Sequence, residues 1–113
     1  MTNSKNKILN NTLVMHSRHI ELVCEILANA IPMNEVWAFG SRAGGISKPH
    51  SDLDLAIITP PEISQTTLVA IKHEFEDSHL PFRVDVLLWN EVDSDFKKVI
   101  HGRHVVVQSP PHD

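Results

Sequence analysis

The chain has 113 residues, of which 42% are hydrophobic and 21% charged. That is an ordinary globular composition, long enough for one domain with a core of its own. Its net charge of −4, from 10 basic and 14 acidic residues, argues against a free-standing nucleic-acid binder, which needs a basic face for phosphates.

Residues 1–12 are rich in Asn, Ser, Thr and Lys without a clear period, and are expected to be a loosely ordered N-terminus. They contain no apolar signal core, and no later run reaches transmembrane length. A cytoplasmic protein without a membrane role is expected. One domain is expected over residues 13–108, followed by a short tail, 109–113. A helix is expected to begin near Leu13. Ile20, Val23, Ile26, Leu27, Ala30 and Ile31 fall on one helical face, and Pro32 stops the helix near Ile31. Cys24, the single cysteine, lies beside that stripe as a small packing residue. It rules out an internal disulfide and points to a reducing compartment.

Glu35 to Phe39 reads as a first strand, with Trp37 and Phe39 on one face and Val36 and Ala38 on the other. Ser41 to Ile46 is expected to turn, with a short helix broken at Lys48-Pro49. Asp52 to Thr59 reads as a second strand, ended by Pro60-Pro61. A helix follows with Leu68, Ile71, Phe75 and Val69 towards the core. Phe82 to Trp89 reads as a third strand, with Val84, Val86 and Leu88 on one face. Asn90 or Ser94 could cap a last helix carrying Phe96, Val99 and Ile100, with Gly102 at its end. His104 to Gln108 is a short apolar segment suited to a sheet edge. Strands alternating with helices imply an α/β or α+β domain, a mixed sheet with helices packed on it.

The chemistry concentrates between Val36 and Ile58. An apolar run ends at Gly40-Ser41, and ten residues separate Ser41 from Asp52. A strand that ends in Gly-Ser before a glycine-rich turn offers backbone N–H groups to an anion. Asp52 and Asp54, two apart in a strand, would project the same way with Cα atoms roughly 6.5 Å apart. Their mutual repulsion is about 2 kcal/mol at an effective dielectric of about 20. Such a pair is tolerated as a solvated strand entrance or with a cation between the carboxylates. A phosphate cradle beside paired carboxylates suits a metal–nucleotide complex.

Gly40-Ser41, ten residues, then Asp52-x-Asp54 resembles the signature of the DNA polymerase β-like nucleotidyltransferase superfamily. The surrounding sequence, from about Glu21 to Val107, is similar to the minimal nucleotidyltransferases, or MNT proteins. These are single-domain members paired with a helical HEPN partner in prokaryotic toxin–antitoxin systems. The resemblance implies a polymerase β-like palm fold, a mixed sheet with helices on one side. It implies that Asp52 and Asp54 hold two Mg²⁺ ions, replaceable by Mn²⁺, on a nucleoside triphosphate, with ATP the expected substrate. Gly40 and Ser41 would hold phosphates. Arg42 could neutralise a phosphate or could simply be solvated.

Asp85 interrupts an apolar strand, which is costly for a charge unless that face is exposed, paired or metal-bound. The family carries a third carboxylate on a neighbouring strand, and Asp85 matches its place. The resemblance implies that Asp85 joins the metal site near the acceptor hydroxyl and takes its proton. His50 could touch the site or lie on a surface loop. The pairs His16/His19 and His101/His104 lack the companions of a zinc site.

The function implied is transfer of a nucleoside monophosphate, with AMP from ATP expected, onto a hydroxyl of a partner protein. In the resembling antitoxins that partner is a HEPN ribonuclease, silenced by the modification. Two other readings stay open: a binding module that neutralises its partner by contact, and a catalytic subunit acting on a small molecule or RNA.

Overall fold

The computed structural model describes residues 13, 15–43 and 51–111. Expectations for residues 1–12, for Gly44 to Ile46, for Lys48-Pro49 and for His50 lie outside the described residues. Within them, the chain forms α1 (Ser17–Ala30), β1 (Val36–Phe39), β2 (Leu53–Ile57), α2 (Gln65–Asp77), β3 (Val84–Leu88), a 3₁₀ turn (Trp89–Glu91), α3 (Ser94–Gly102) and β4 (Val105–Gln108). The sheet order is β3-β2-β1-β4. β1 is antiparallel to both β2 and β4, while β2 and β3 are parallel. The parallel pair needs a crossover, and α2 supplies it. This is the mixed sheet expected from the sequence, with β4 at one edge.

α1 buries Ile20, Val23, Ile26 and Leu27, the expected stripe. Ala30, placed on the same stripe, is exposed. The helix starts at Ser17 rather than near Leu13 because the His16 side chain accepts the Arg18 N–H at 3.3 Å, making a helix cap. Leu13 still reaches the core, 2% exposed. The end of α1 is locked to the sheet by buried Asn34. Its side-chain amide donates to the carbonyls of Ile58 and Pro61, at 3.0 and 2.7 Å. Gln108 on β4 donates to the carbonyls of Ile31 and Asn34, both at 2.8 Å.

Strand alternation divides the sheet into two faces. Val36, Ala38, Leu53, Leu55, Ile57, Val86 and Leu88 pack with α1 and α2 in the main core. Phe39 and Ala56 pack with Ile100 of α3 in a second, smaller cluster. The expectation of helices on one side is therefore corrected: α3 lies across the opposite face. Only Ile100 of α3 is buried there, so Phe96 and Val99 are not core residues. Val69 of α2 is likewise exposed. Asp93, not Asn90 or Ser94, caps α3 by accepting the Phe96 N–H at 2.8 Å. Asp93 sits at the first position where a side chain can reach back to an unpaired helical N–H. Gly102 closes the last turn of α3 as a helical residue, with Arg103 the cap.

Candidate active site

The sheet face that α3 covers only in part carries the acidic residues. Asp54 lies in β2 and Asp85 in β3, and the two are direct register partners. On its other side Asp54 pairs with Phe39, the last residue of β1. Gly40 follows at once with φ of 82°, a backbone state that glycine adopts without strain. A Cβ added to Gly40 would overlap the Asp54 carboxylate. The turn therefore passes tightly over Asp54, and a side chain at position 40 would close that approach. Ser41 is exposed beside it.

Asp52 sits one residue before β2 and is exposed. It is near enough to act on Asp54. Burial pushes the Asp54 carboxyl above its usual range, and the neighbouring charges of Asp85 and then Asp52 push it further. The strongest charged neighbour of Asp54 is thus the one on the adjacent strand. Asp85 also faces Arg83 at 3.3 Å, an exposed pair that screening makes weak.

Of the two readings of Arg42, the solvated one does not hold, and neutralisation of a phosphate stays open. The residue is 3% exposed, so it is not solvated. Its Nε donates to the Ser51 carbonyl at 2.9 Å, and its guanidinium lies 4.2 Å from the centre of the Phe82 ring. These contacts tie Arg42 to Ser51 and Phe82. Burial lowers its pKa, and the charge of Asp52 opposes that shift.

Between the turn and α3 lies a pocket of about 560 Å³. Gly40, Ser41 and Asp54 form one side, while Phe96, Val99 and Arg103 form the other. The sequence reading placed Phe96 and Val99 on the last helix without assigning them a site role, and left Arg103 unremarked. The only available signal was their spacing along one helix, which does not tell a core stripe from a pocket wall. Asp85 lines a second hollow, of about 510 Å³, at the β3 side of the described sheet, where Lys72, Glu76 and Arg83 join an apolar lining that includes Phe75, Leu80 and Phe82.

The donor set fits a hard divalent cation. Asp54 and Asp85 share a sheet face, and the Asp54 carboxyl is pushed above its usual range by burial first and then by the charges of Asp85 and Asp52, a crowding that a bound cation would relieve. Among the described residues no three His, Cys, Asp or Glu side chains already converge as a complete ligand group. Of the histidine pairs, His104 stacks on Trp37 at 3.9 Å and His16 caps α1. Among the described residues no helix is long and apolar enough to cross a membrane.

The family described as Polymerase beta, Nucleotidyltransferase matches residues 21–112. A curated relative from Haemophilus influenzae, the probable protein adenylyltransferase MntA, is 41% identical over 96 residues, covering 85% of this chain and 84% of that protein. Two solved structures share the fold. One is a toxin–antitoxin with AMP-PNP, with a TM-score of 0.66 at 16% identity, covering 80% of this chain and 73% of that chain. The other is a tri-AMPylated Shewanella oneidensis HEPN toxin in complex with MNT antitoxin, with a TM-score of 0.64 at 14% identity, covering 84% and 73%. The chain belongs to the polymerase β nucleotidyltransferase family.

Proposed function

We propose that this protein transfers AMP from ATP to a hydroxyl group of a HEPN-type partner protein and acts as its antitoxin. The observation that carries the reading is the Asp54–Asp85 pair beside the positive-φ turn at Gly40. It brings paired carboxylates and a phosphate-type turn together on one sheet face. The 41% identity to a protein adenylyltransferase supports the reaction class. The catalytic unit is residues 13–108, and the setting is the cytoplasm.

Asp52, Asp54 and Asp85 would hold Mg²⁺, or Mn²⁺ in its place. Bound there, the ions neutralise charge that develops on the attacking and leaving oxygens. The N–H groups after Gly40 and the Ser41 hydroxyl orient the β- and γ-phosphates. Asp85 accepts the proton of the acceptor hydroxyl. The hydroxyl oxygen forms a bond to the α-phosphorus, the bond from that phosphorus to the bridging oxygen breaks, and pyrophosphate leaves. The hollow beside Asp85 at the β3 edge gives the acceptor an approach separate from the turn. Arg42 acts by holding Ser51, and with it the entry to Asp52, against the turn.

The test co-expresses the neighbouring gene product, purifies both proteins and incubates them with α-labelled ATP and Mg²⁺. Label on a partner hydroxyl, which does not form when EDTA is present from the start, is the expected result. Partner neutralisation without any label would replace this reading with neutralisation by contact. Label on RNA or a small molecule would replace the acceptor.

A further inference from the structure

We propose that Phe82 is a positioning residue for Asp52, and that His19 holds Phe82 in place for it. This rests on the nucleotidyl-transfer reading above, in which Asp52 helps to hold a divalent cation. Asp52 is exposed and stands one residue ahead of β2. An exposed carboxylate takes its direction from the backbone beneath it, and here that backbone is held from both sides. The Ser51 carbonyl before it accepts a hydrogen bond from the Arg42 Nε at 2.9 Å. The Leu53 N–H after it donates to the Arg83 carbonyl at 2.8 Å. Both anchors lead to the same place in the chain. The Arg42 guanidinium lies 4.2 Å from the centre of the Phe82 ring, and Arg83 is the next residue. Phe82 and Arg83 thus hold the two neighbours of Asp52, one through a side chain and the other through its backbone.

Phe82 is itself fixed. It comes two residues before β3 and packs, half-buried, against the main core. His19, in the first turn of α1, meets its ring at 82° with centroids 5.7 Å apart. Burial, then the charges of Arg18, His16 and Arg42, hold the His19 imidazole below its usual pKa range. At neutral pH it is therefore a neutral ring packed on Phe82 and not a second cation beside Arg42. A guanidinium that is 3% exposed needs partners that suit its shape, and an aromatic face with a carbonyl at the Nε supplies them. If the Phe82 ring is lost, Arg42 has a different resting place and the Ser51 carbonyl moves with it. A residue that only filled the core would lower stability without changing how much metal the protein needs.

The experiment measures ATP binding to the full chain by calorimetry across a series of Mg²⁺ concentrations, with thermal melts of the same samples. Phe82→Leu keeps an apolar side chain and removes the ring. It should raise the Mg²⁺ concentration for half-maximal ATP binding by about fivefold, the scale of a lost aromatic–cation contact. Phe82→Tyr keeps the ring and should restore the wild-type requirement. Phe75→Leu, in the core on α2, should lower the melting temperature and leave the Mg²⁺ requirement unchanged. His19→Ala should raise the requirement by about twofold, and it decides the question if Phe82→Leu does not fold. A wild-type requirement in Phe82→Leu, or in His19→Ala when it alone can be measured, overturns the inference while the nucleotidyl-transfer reading stands. So does an equal rise in Phe75→Leu, because metal need would then only follow stability, or a Phe82→Tyr that behaves like Phe82→Leu. A wild type whose ATP binding is absent or indifferent to Mg²⁺ overturns the nucleotidyl-transfer reading itself.

Discussion

Asp54 and Asp85 are register partners on parallel strands, so two carboxylates stand side by side on one face of the sheet. Adjacent strands are only about 4.8 Å apart. Asp54 bears the consequence: burial, then Asp85, then Asp52 favour its protonated form. A fold selected for stability alone would not place an acid there. The arrangement makes sense if a cation offsets the charge.

The first prediction concerns pH. The Asp54 pKa is raised in the folded state, so the native protein holds that proton more tightly than the unfolded chain. The resulting stabilisation is complete below the unfolded value, near 3.8, and is lost as pH rises through the raised folded value. Without metal, Asp54→Asn should therefore melt above the wild type at neutral pH. The difference should shrink as the pH falls through the raised folded value and level off below the unfolded one. Thermal melts across that range, with and without Mg²⁺, measure it. A difference independent of pH would contradict the electrostatic account.

The double variant Asp52→Asn, Asp54→Asn should fold and lose metal-dependent ATP binding. Calorimetry with and without Mg²⁺ is the check. Unchanged binding would remove these residues from the metal site.

Asp85→Asn keeps shape and removes charge. Its affinity for ATP with Mg²⁺ should fall by less than about tenfold, while transfer to the partner falls at least about a hundredfold, the range for a lost general base. A wild-type transfer rate would make Asp85 an exposed strand residue and nothing more.

Gly40→Ala faces two obstacles, a φ of 82° and overlap with the Asp54 carboxylate. The backbone strain alone costs about 1 kcal/mol or more. The variant should melt several degrees lower and bind Mg·tripolyphosphate weakly. Normal phosphate binding would show that the turn does not hold phosphates.

Arg42→Met should destabilise the protein by about 1–3 kcal/mol, through loss of the Nε donation to the part-buried Ser51 carbonyl. Denaturant unfolding measures this. Arg42→Lys should recover little, because a point charge reproduces neither the Nε bond nor the flat contact with Phe82. A variant of wild-type stability with impaired phosphate binding would return Arg42 to the nucleotide.

Local patterning carries the parts of this protein that depend on neighbours in sequence. The apolar stripe of α1, the β1 alternation of Trp37 and Phe39 against Val36 and Ala38, and the Gly40-Ser41…Asp52-x-Asp54 spacing could all be read directly. Each arises from helix or strand periodicity, or from a turn that needs glycine. The sequence also placed Asp85 in a strand, but periodicity contains no information on which strand lies next to which. The parallel pairing of β2 with β3 sets Asp85 against Asp54, and its charge acts on Asp54 more strongly than that of Asp52. Tertiary structure likewise decided Arg42. Its burial depends on Ser51 and Phe82, which are 9 and 40 residues further along the chain. It decided Phe96 and Val99 too, because an amphipathic pattern shows that a helix has an apolar side and not what that side meets. On α3 the stripe runs past the sheet's apolar surface and ends at a pocket beside the acids.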